Sequence, residues 1–216
     1  MGIINRGILG GFQNKTGAVV GLRWRGLDVM RGLPRRSTKM PSQAQQYNQL
    51  KLSLLSQLLS KVEPLVNIGF KVGSATSTAL NRAMGYNLKQ ALVGVSPHFH
   101  LDYSKLSFSR GSRALPKESA VLAMPQAQLS FNWSYTGDQD QNENAQDLIT
   151  LLVYNPAKDR VINLMYVVTR ADLTYTLQLP SSFIGDTVYP YLIIAAAYPL
   201  GSVSDTLYLG EVLVPS

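Results

Sequence analysis

The spacing of apolar residues changes near residue 101, and this change constrains the fold more than any other feature of the sequence. Beyond it, apolar residues occupy every second position, as in Leu129, Phe131 and Trp133. Alternation with period two is typical of strands that bury one face. Further strands are predicted at 148–154, 161–168, 173–179, 187–198 and 204–214. Six or seven short strands separated by turn residues predict an antiparallel β-sandwich over residues 101–216.

Residues 41–100 have the three- and four-residue spacing of two amphipathic helices, a predicted helical hairpin. The first helix should begin at Pro41–Ser42, with Ser42 as N-cap and Gln45 completing a capping box, and end at Pro64. The second should run from residue 74 or 76 to residue 93, with Gly94 as its C-cap. Both apolar stripes are narrow, so we expect the helices to pack on each other and on another part of the protein. The stripes consist of Tyr47, Leu50, Leu54, Leu58 and Val62, and of Leu80, Met84, Leu88 and Leu92.

Residues 1–40 form a basic arm that is rich in glycine and is predicted to contain a β-hairpin. Residues 1–39 carry eight Lys and Arg and one acid. Turn-forming residues at 13–17 should connect two strands, the second of which runs over 17–25. That strand would have an apolar face and a basic face. Each glycine loses much backbone entropy on ordering, so we expect the hairpin to need a partner.

The arm is the predicted interface of the protein. Monomers seldom leave an apolar face in water, so this face implies a contact with another molecule. The favoured partner is an acidic protein surface whose sheet the arm extends by strand addition. The alternative is a nucleic acid, bound through phosphate contacts and stacking. The predicted contacts are Phe12, Val20, Leu22 and Trp24 as apolar anchors, with Arg23, Arg25, Arg31, Arg35 and Arg36 as electrostatic contacts.

Charge divides the chain into two parts. Residues 1–113 carry sixteen Lys and Arg against three acids, a net charge of +13, whereas residues 114–216 carry four against ten, a net charge of −6. A strongly basic half is typical of a protein with an acidic partner, and the acidic half of a neighbouring copy would serve as one.

The sequence contains no signal for export and no segment for membrane insertion. Its apolar runs are too short to span a bilayer, and the first residues do not resemble a secretory signal. We therefore expect the protein in the cytoplasm or in a particle assembled there, without a membrane partner. The absence of cysteine excludes disulfides, thiolate nucleophiles and cysteine-bound metals.

No pattern of residues predicts catalysis, a bound cofactor or a small-molecule substrate. Lys15–Thr16 follow Gly10–Gly11 but lack the glycine that precedes the lysine of a phosphate-binding loop. The sequence also lacks the GxSxG elbow of a serine hydrolase. The chain is therefore predicted not to be an enzyme.

Two groups of residues contain side chains that can bind metal ions. His98 and His100 would share a strand face with Asp102, but the sequence has no third histidine, which favours a solvated or interface role. The acidic residues of 138–147 lack the glycine and terminal glutamate of a calcium loop, so they predict a solvated loop.

The C-terminal half resembles a fibronectin type III or immunoglobulin-like module. Trp133 in LSFNWS matches the core tryptophan of such modules, and DTVYPYL, residues 186–192, is similar to the strand that carries their core tyrosine. Over nearly its whole length, the chain resembles an uncharacterised Bacteroidetes family through GILGGFQNKTGAVVGLRWRGLDVMRGLP, NIGFKVG, MGYNLKQALVG, DYSKLSFSRGS, LLVYNPAK and TLYLG. Its layout is also similar to that of small structural proteins of tailed phages.

These observations predict an α+β protein in three segments, 1–40, 41–100 and 101–216, that serves a structural role without catalysis. We expect it to form homo-oligomers or to dock with other structural proteins in a phage-like or phage-derived particle, with the sandwich as a spacer or an exposed binding face. Nucleic-acid binding by the arm is the alternative, and carbohydrate binding by the sandwich is a third reading.

Overall fold

The structure, a computed structural model, describes residues 3–4, 11–24, 26–35, 38–71, 77–95, 97–137, 143–197 and 202–216. The chain divides into two compact units, one of residues 1–44 and 74–76 and one of residues 45–73 and 77–216. Together they form a mixed α+β protein whose strand pairs are antiparallel, which confirms the predicted fold class. No helix in the described ranges has the length and apolar character needed to cross a membrane.

The first unit contains a four-stranded sheet, which we call the N-terminal sheet. Its strands β1 (Ile3–Ile4), β2 (Phe12–Thr16), β3 (Val19–Trp24) and β4 (Leu27–Gly32) pair in chain order. The turn between β2 and β3 lies at Gly17–Ala18, where Gly17 has a φ of 59°. The predicted turn at 13–17 was therefore too long, because residues 14–16 continue the ladder with β3. Strand β4 was not predicted.

Three helices follow in the second unit: α1 (Gln43–Lys61), α2 (Glu63–Gly69) and α3 (Ala79–Gln90). Pro64 was predicted to end the first helix. It also lies in the first turn of α2, where a proline is tolerated because the N–H that it lacks would have no partner within the helix. Helix α3 begins after Thr78, whose side chain accepts a hydrogen bond from the Asn81 amide at 3.1 Å.

Helix α3 ends three residues before the predicted end. Residues 92–95 instead form β5 (Leu92–Val95), which pairs with β6 (His98–Leu101). Gly94 is not a helix C-cap but belongs to this hairpin, with a φ of 109° and the His98 carbonyl against its Cα. The β-branched Val93 and Val95 favour a strand, and a side chain at residue 94 would collide with that carbonyl.

The sandwich contains a three-stranded and a five-stranded sheet. The first has the order β11 (Thr174–Gln178), β8 (Gln128–Trp133), β7 (Ser119–Met124). The second has the order β10 (Arg160–Thr169), β9 (Leu148–Asn155), β12 (Thr187–Ala195), β13 (Leu207–Tyr208), and β14 (Val212–Leu213) also pairs with β12. Strands β8 to β12 lie where strands were predicted, and β8 and β11 alternate as expected, whereas β9 and β12 are buried almost throughout. Residue 198 of the predicted strand 187–198 lies outside the described residues, and the predicted strand 204–214 is two short strands, β13 and β14.

Strands β9 and β12 are buried on both faces. Leu151 and Leu192 face the three-stranded sheet and belong to a core with Leu129, Phe131 and Trp133. Leu152 and Tyr191 face the opposite way and belong to a second core with the buried leucines of α1 and α2. The five-stranded sheet is therefore the middle layer of three, and the helices cover its second face.

A buried cluster of charges closes one end of the sandwich. The Arg170 guanidinium, fully buried, donates to Glu143 Oε1 at 2.6 Å and to the Ala114 carbonyl at 2.9 Å, while Arg113 pairs with Asp147 at 2.9 Å. The Trp133 indole donates to the Arg170 carbonyl at 2.9 Å. The prediction of a solvated loop is thus wrong at Glu143 and Asp147, because their carboxylates neutralise two arginines; residues 138 and 140 lie outside the described residues.

Asn87 joins α3 to the segment that leads into the sandwich. It is fully buried, and its amide donates to the Ala83 and Ser107 carbonyls at 2.9 and 2.8 Å while its Oδ1 accepts from the Ser107 amide at 2.9 Å. Leaving a buried peptide N–H or C=O without a hydrogen-bond partner lowers the free energy of unfolding by about 1–3 kcal/mol.

We expect Asn87→Ala to lower the free energy of unfolding by about 2–4 kcal/mol, because it removes two bonds to the Ser107 peptide and leaves both its polar groups unpaired. The control is Asn81→Ala, an exposed position of the same helix, which should change stability by about 0.5 kcal/mol or less. Urea denaturation followed by circular dichroism measures both. Equal stability of the two variants would contradict the role of Asn87.

Candidate functional site

The N-terminal sheet carries the residues that were predicted as an interface. In the register of β3 and β4, Val20 lies opposite Arg31, Leu22 opposite Val29, and Trp24 opposite Leu27. Directly opposed residues of an antiparallel pair point to the same side, so these six share one face. The other face carries Val19, Gly21 and Arg23 opposite Gly32, Met30 and Asp28.

The predicted division into an apolar and a basic face holds only in part. Val20, Leu22 and Trp24 do share a face, but Arg31 lies among them, because β4 contributes residues that the prediction did not consider. Arg23 is on the opposite face and is directly across from Asp28.

The predicted contact residues differ in exposure. Phe12, Val20 and Leu22 are half-buried, whereas Trp24 exposes 46% of its surface. Arg23, Arg31 and Arg35 are exposed. Arg25 and Arg36 lie outside the described residues.

Phe12 does not lie on the apolar face with the other predicted anchors. It packs against Gly21, where an added Cβ would lie 2.7 Å from Phe12 Cδ2 and still closer to the Phe12 carbonyl oxygen. Real Cβ atoms do not approach other atoms this closely. Glycine at position 21 therefore allows β2 to cross close over β3.

The N-terminal sheet has almost no interior of its own. Among residues 11–24 and 26–35, Gly21 is the only buried one. Large apolar side chains are exposed instead: Leu27 by 58%, Met30 by 69% and Leu33 by 42%. Leu27 shares a face with Trp24, whereas Met30 lies on the opposite face, so the sheet exposes large apolar side chains on both faces.

The histidines considered as metal ligands lie on β6. His98 and His100 are exposed, and Asp102 lies at the start of a 3-10 turn, where it accepts from the Ser104 amide and pairs with Lys105 at 3.0 Å. In the ranges that the structure describes, no group of three His, Cys, Asp or Glu residues could hold a metal ion.

Comparison with known proteins identifies a family for the chain. Residues 11–210 match the family of unknown function DUF6266. The chain belongs to this family. The expected membership of an uncharacterised family is thereby confirmed, and the match begins within the N-terminal sheet of this DUF6266 protein.

No curated protein matches the DUF6266 chain. Among solved structures, the solution structure of the fn3 domain of human contactin 1 is similar, with 14% identity and a TM-score of 0.33. The similarity covers 57% of the DUF6266 chain and 94% of the contactin domain.

A second candidate site, which the sequence analysis missed, lies in the second unit of the DUF6266 protein. Tyr103, Tyr189 and Tyr208 line a cavity of about 360 Å³ together with Asp102 and Glu211. These residues come from three separate parts of the sequence, around 102–103, 189 and 208–211, so no local motif marks them. The only signal was the unusual number of tyrosines, eleven in the chain.

We expect Gly21→Ala to destabilise the N-terminal sheet, because the new methyl group would overlap Phe12 and force β2 away from β3. Gly32→Ala is the matched control, since an added Cβ there meets no atom within 4 Å. Limited proteolysis with mass spectrometry should show several-fold faster cleavage within residues 11–35 of the Gly21 variant only. Equal cleavage of both variants would contradict the packing of Phe12 on Gly21.

Proposed function

We propose that this protein is a structural component that assembles with copies of itself, head to tail, through the N-terminal sheet. One observation carries the proposal: a compact sheet with a single buried residue among residues 11–24 and 26–35 exposes Trp24, Leu27 and Met30. Trp24 and Leu27 lie side by side on one face and Met30 is exposed on the other, and exposed apolar side chains in a small sheet of this kind favour a contact with another molecule. A non-enzymatic role fits the absence of a catalytic motif in the sequence.

The backbone of β4 favours strand addition. Among the described strands, β4 pairs with β3 alone, so the N–H and C=O groups of its outer edge are available to another strand. Strand β7 has a comparable edge, because it pairs with β8 alone in the described part of the chain and exposes Leu122 and Met124. Each copy would thus have one basic edge and one edge on the acidic half.

The charge division favours contact between unlike surfaces. The net charge of residues 1–113 is +13 and that of residues 114–216 is −6, so the basic part of one copy attracts the acidic part of the next. A contact between two different surfaces repeats from copy to copy and produces a ring or a filament.

Such an assembly fits the layout of a particle protein. The resemblance of the sequence to a Bacteroidetes family and to small structural proteins of tailed phages supports a phage-like or phage-derived particle that forms in the cytoplasm. The sandwich would then serve as a spacer or as an exposed binding face.

Binding to a polyanion is the second candidate, and a cleft in the second unit favours it. This cleft of about 570 Å³ is lined by Arg82, Lys89 and Arg110 with Asp205 as its acid. The Arg110 guanidinium lies 4.5 Å from the centre of the Tyr86 ring, which holds it in place. A nucleic acid would bind here with an affinity that falls steeply as salt rises.

We expect the full-length protein to form species larger than a monomer at about 0.05 M salt, and Leu27→Ser with Met30→Ser to weaken self-association by about tenfold or more. The matched control is Leu173→Ser with Ile184→Ser, which removes apolar side chains that are 46% and 42% exposed on the sandwich. Multi-angle light scattering over a range of protein concentrations measures the species. A full-length protein that stays monomeric at every salt concentration would contradict self-assembly.

A further inference from the structure

The cavity lined by tyrosines, which we call the tyrosine pocket, lies where β13 meets the 3-10 turn Tyr103–Lys105. Its aromatic wall is formed by Tyr103, Tyr189 and Tyr208, with ring centres 4.4 Å apart for Tyr103 and Tyr189 and 6.4 Å apart for Tyr189 and Tyr208. The planes of the last two rings differ by 21°. The pocket therefore presents several ring surfaces within a small space.

The aromatic wall packs against the buried residue Tyr191. Tyr191 is fully buried, its ring centre lies 5.6 Å from that of Tyr208, and its hydroxyl donates to the Tyr103 carbonyl at 2.8 Å. This bond connects β12 to the 3-10 turn. Because the wall rests on a packed core, its rings lose little conformational entropy when a ligand binds.

Two carboxylates make the tyrosine pocket negative. Glu211 forms no ion pair with any described residue, although its carboxylate accepts a hydrogen bond from the Tyr189 hydroxyl, whereas Asp102 is paired with Lys105 at 3.0 Å. Burial raises the pKa of Tyr208, and the nearby charges of Glu211 and Asp102 raise this pKa further. Both carboxylates thus act on the same hydroxyl, and the described lining of the pocket includes His100 but no lysine or arginine.

Ring faces together with a carboxylate that forms no ion pair among the described residues suit a planar cation. The negative face of an aromatic ring attracts a cation, and a carboxylate accepts two parallel hydrogen bonds from a guanidinium. An ammonium group lacks the flat surface that stacks on a ring, so arginine fits this chemistry better than lysine. A neutral sugar could also stack on tyrosine, but it would make no use of the charge.

We infer that the tyrosine pocket binds an arginine side chain from the N-terminal sheet of a second copy of this chain. The inference rests on the proposed self-assembly and adds a side-chain contact to the proposed strand addition. Arg31 and Arg35 are the suitable donors, because both are exposed and neither pairs with a carboxylate in the described residues. Arg23 is less suitable, since it lies directly opposite Asp28.

The first test measures the effect of Glu211 on assembly. Glu211→Gln keeps the shape of the side chain but removes its charge, and we expect about tenfold weaker self-association of the full-length protein by light scattering. The control is Glu63→Gln, an exposed acid at the start of α2, which should leave self-association unchanged. Glu211→Arg should abolish assembly, and Arg31→Glu with Arg35→Glu in the same chain should restore it.

The second test measures the pocket without assembly. The probe is N-acetylarginine amide, with N-acetylcitrulline amide as its neutral counterpart and glucose as a neutral sugar, added to the full chain carrying Arg31→Ala and Arg35→Ala. Saturation-transfer NMR should detect binding of the arginine probe alone, and Glu211→Gln should reduce this signal several-fold.

The two tests separate the two proposals. Full-length protein that assembles equally well with Glu211→Gln would overturn the inference about the pocket and leave self-assembly intact. Protein that never assembles would overturn the proposed function, and the NMR result then decides whether the pocket binds a guanidinium. Equal signals from arginine and citrulline probes, or a signal from glucose alone, would also overturn the inference.

Discussion

The burial of β9 and β12 on both faces is the constraint on which the rest of the second unit depends. A strand pair that is apolar on both sides must be covered twice, once by the three-stranded sheet and once by the helices. The helices are therefore a layer of the same structure. The Tyr103–Lys105 turn covers part of the same face of the five-stranded sheet. Beside this turn, Tyr189 and Tyr208 are half-exposed and form the wall of the tyrosine pocket.

The N-terminal sheet, in contrast to the second unit, has almost no buried core. Among its residues 11–24 and 26–35, only Gly21 is buried, so packing within the sheet contributes little hydrophobic stabilisation. Its large apolar side chains are exposed. A basic sheet that lacks a core and an acidic sandwich whose Glu211 forms no ion pair among the described residues are complementary parts of one chain. In the proposed assembly, the N-terminal sheet of one copy binds the sandwich of the next copy.

Much of the sandwich could be predicted because alternation is local, as in β8, where Leu129, Phe131 and Trp133 all face the core. Strand β7 was missed because SAVLAM has no alternation, and β5 was missed because Leu92 continues the helical spacing of Leu88. The partners of Glu143 and Asp147 and the members of the tyrosine pocket are distant in sequence. Such contacts arise only from the tertiary fold, so no local pattern predicts them.

Head-to-tail assembly is tested most directly by mixing two variants that each lack one surface. One carries Arg31→Ala and Arg35→Ala, and the other carries Glu211→Arg, so each keeps the surface that the other has lost. Native mass spectrometry of the mixture should show a dimer of one copy of each, while either variant alone stays monomeric. A mixture that contains only monomers, or a single variant that still forms large assemblies, would contradict the account.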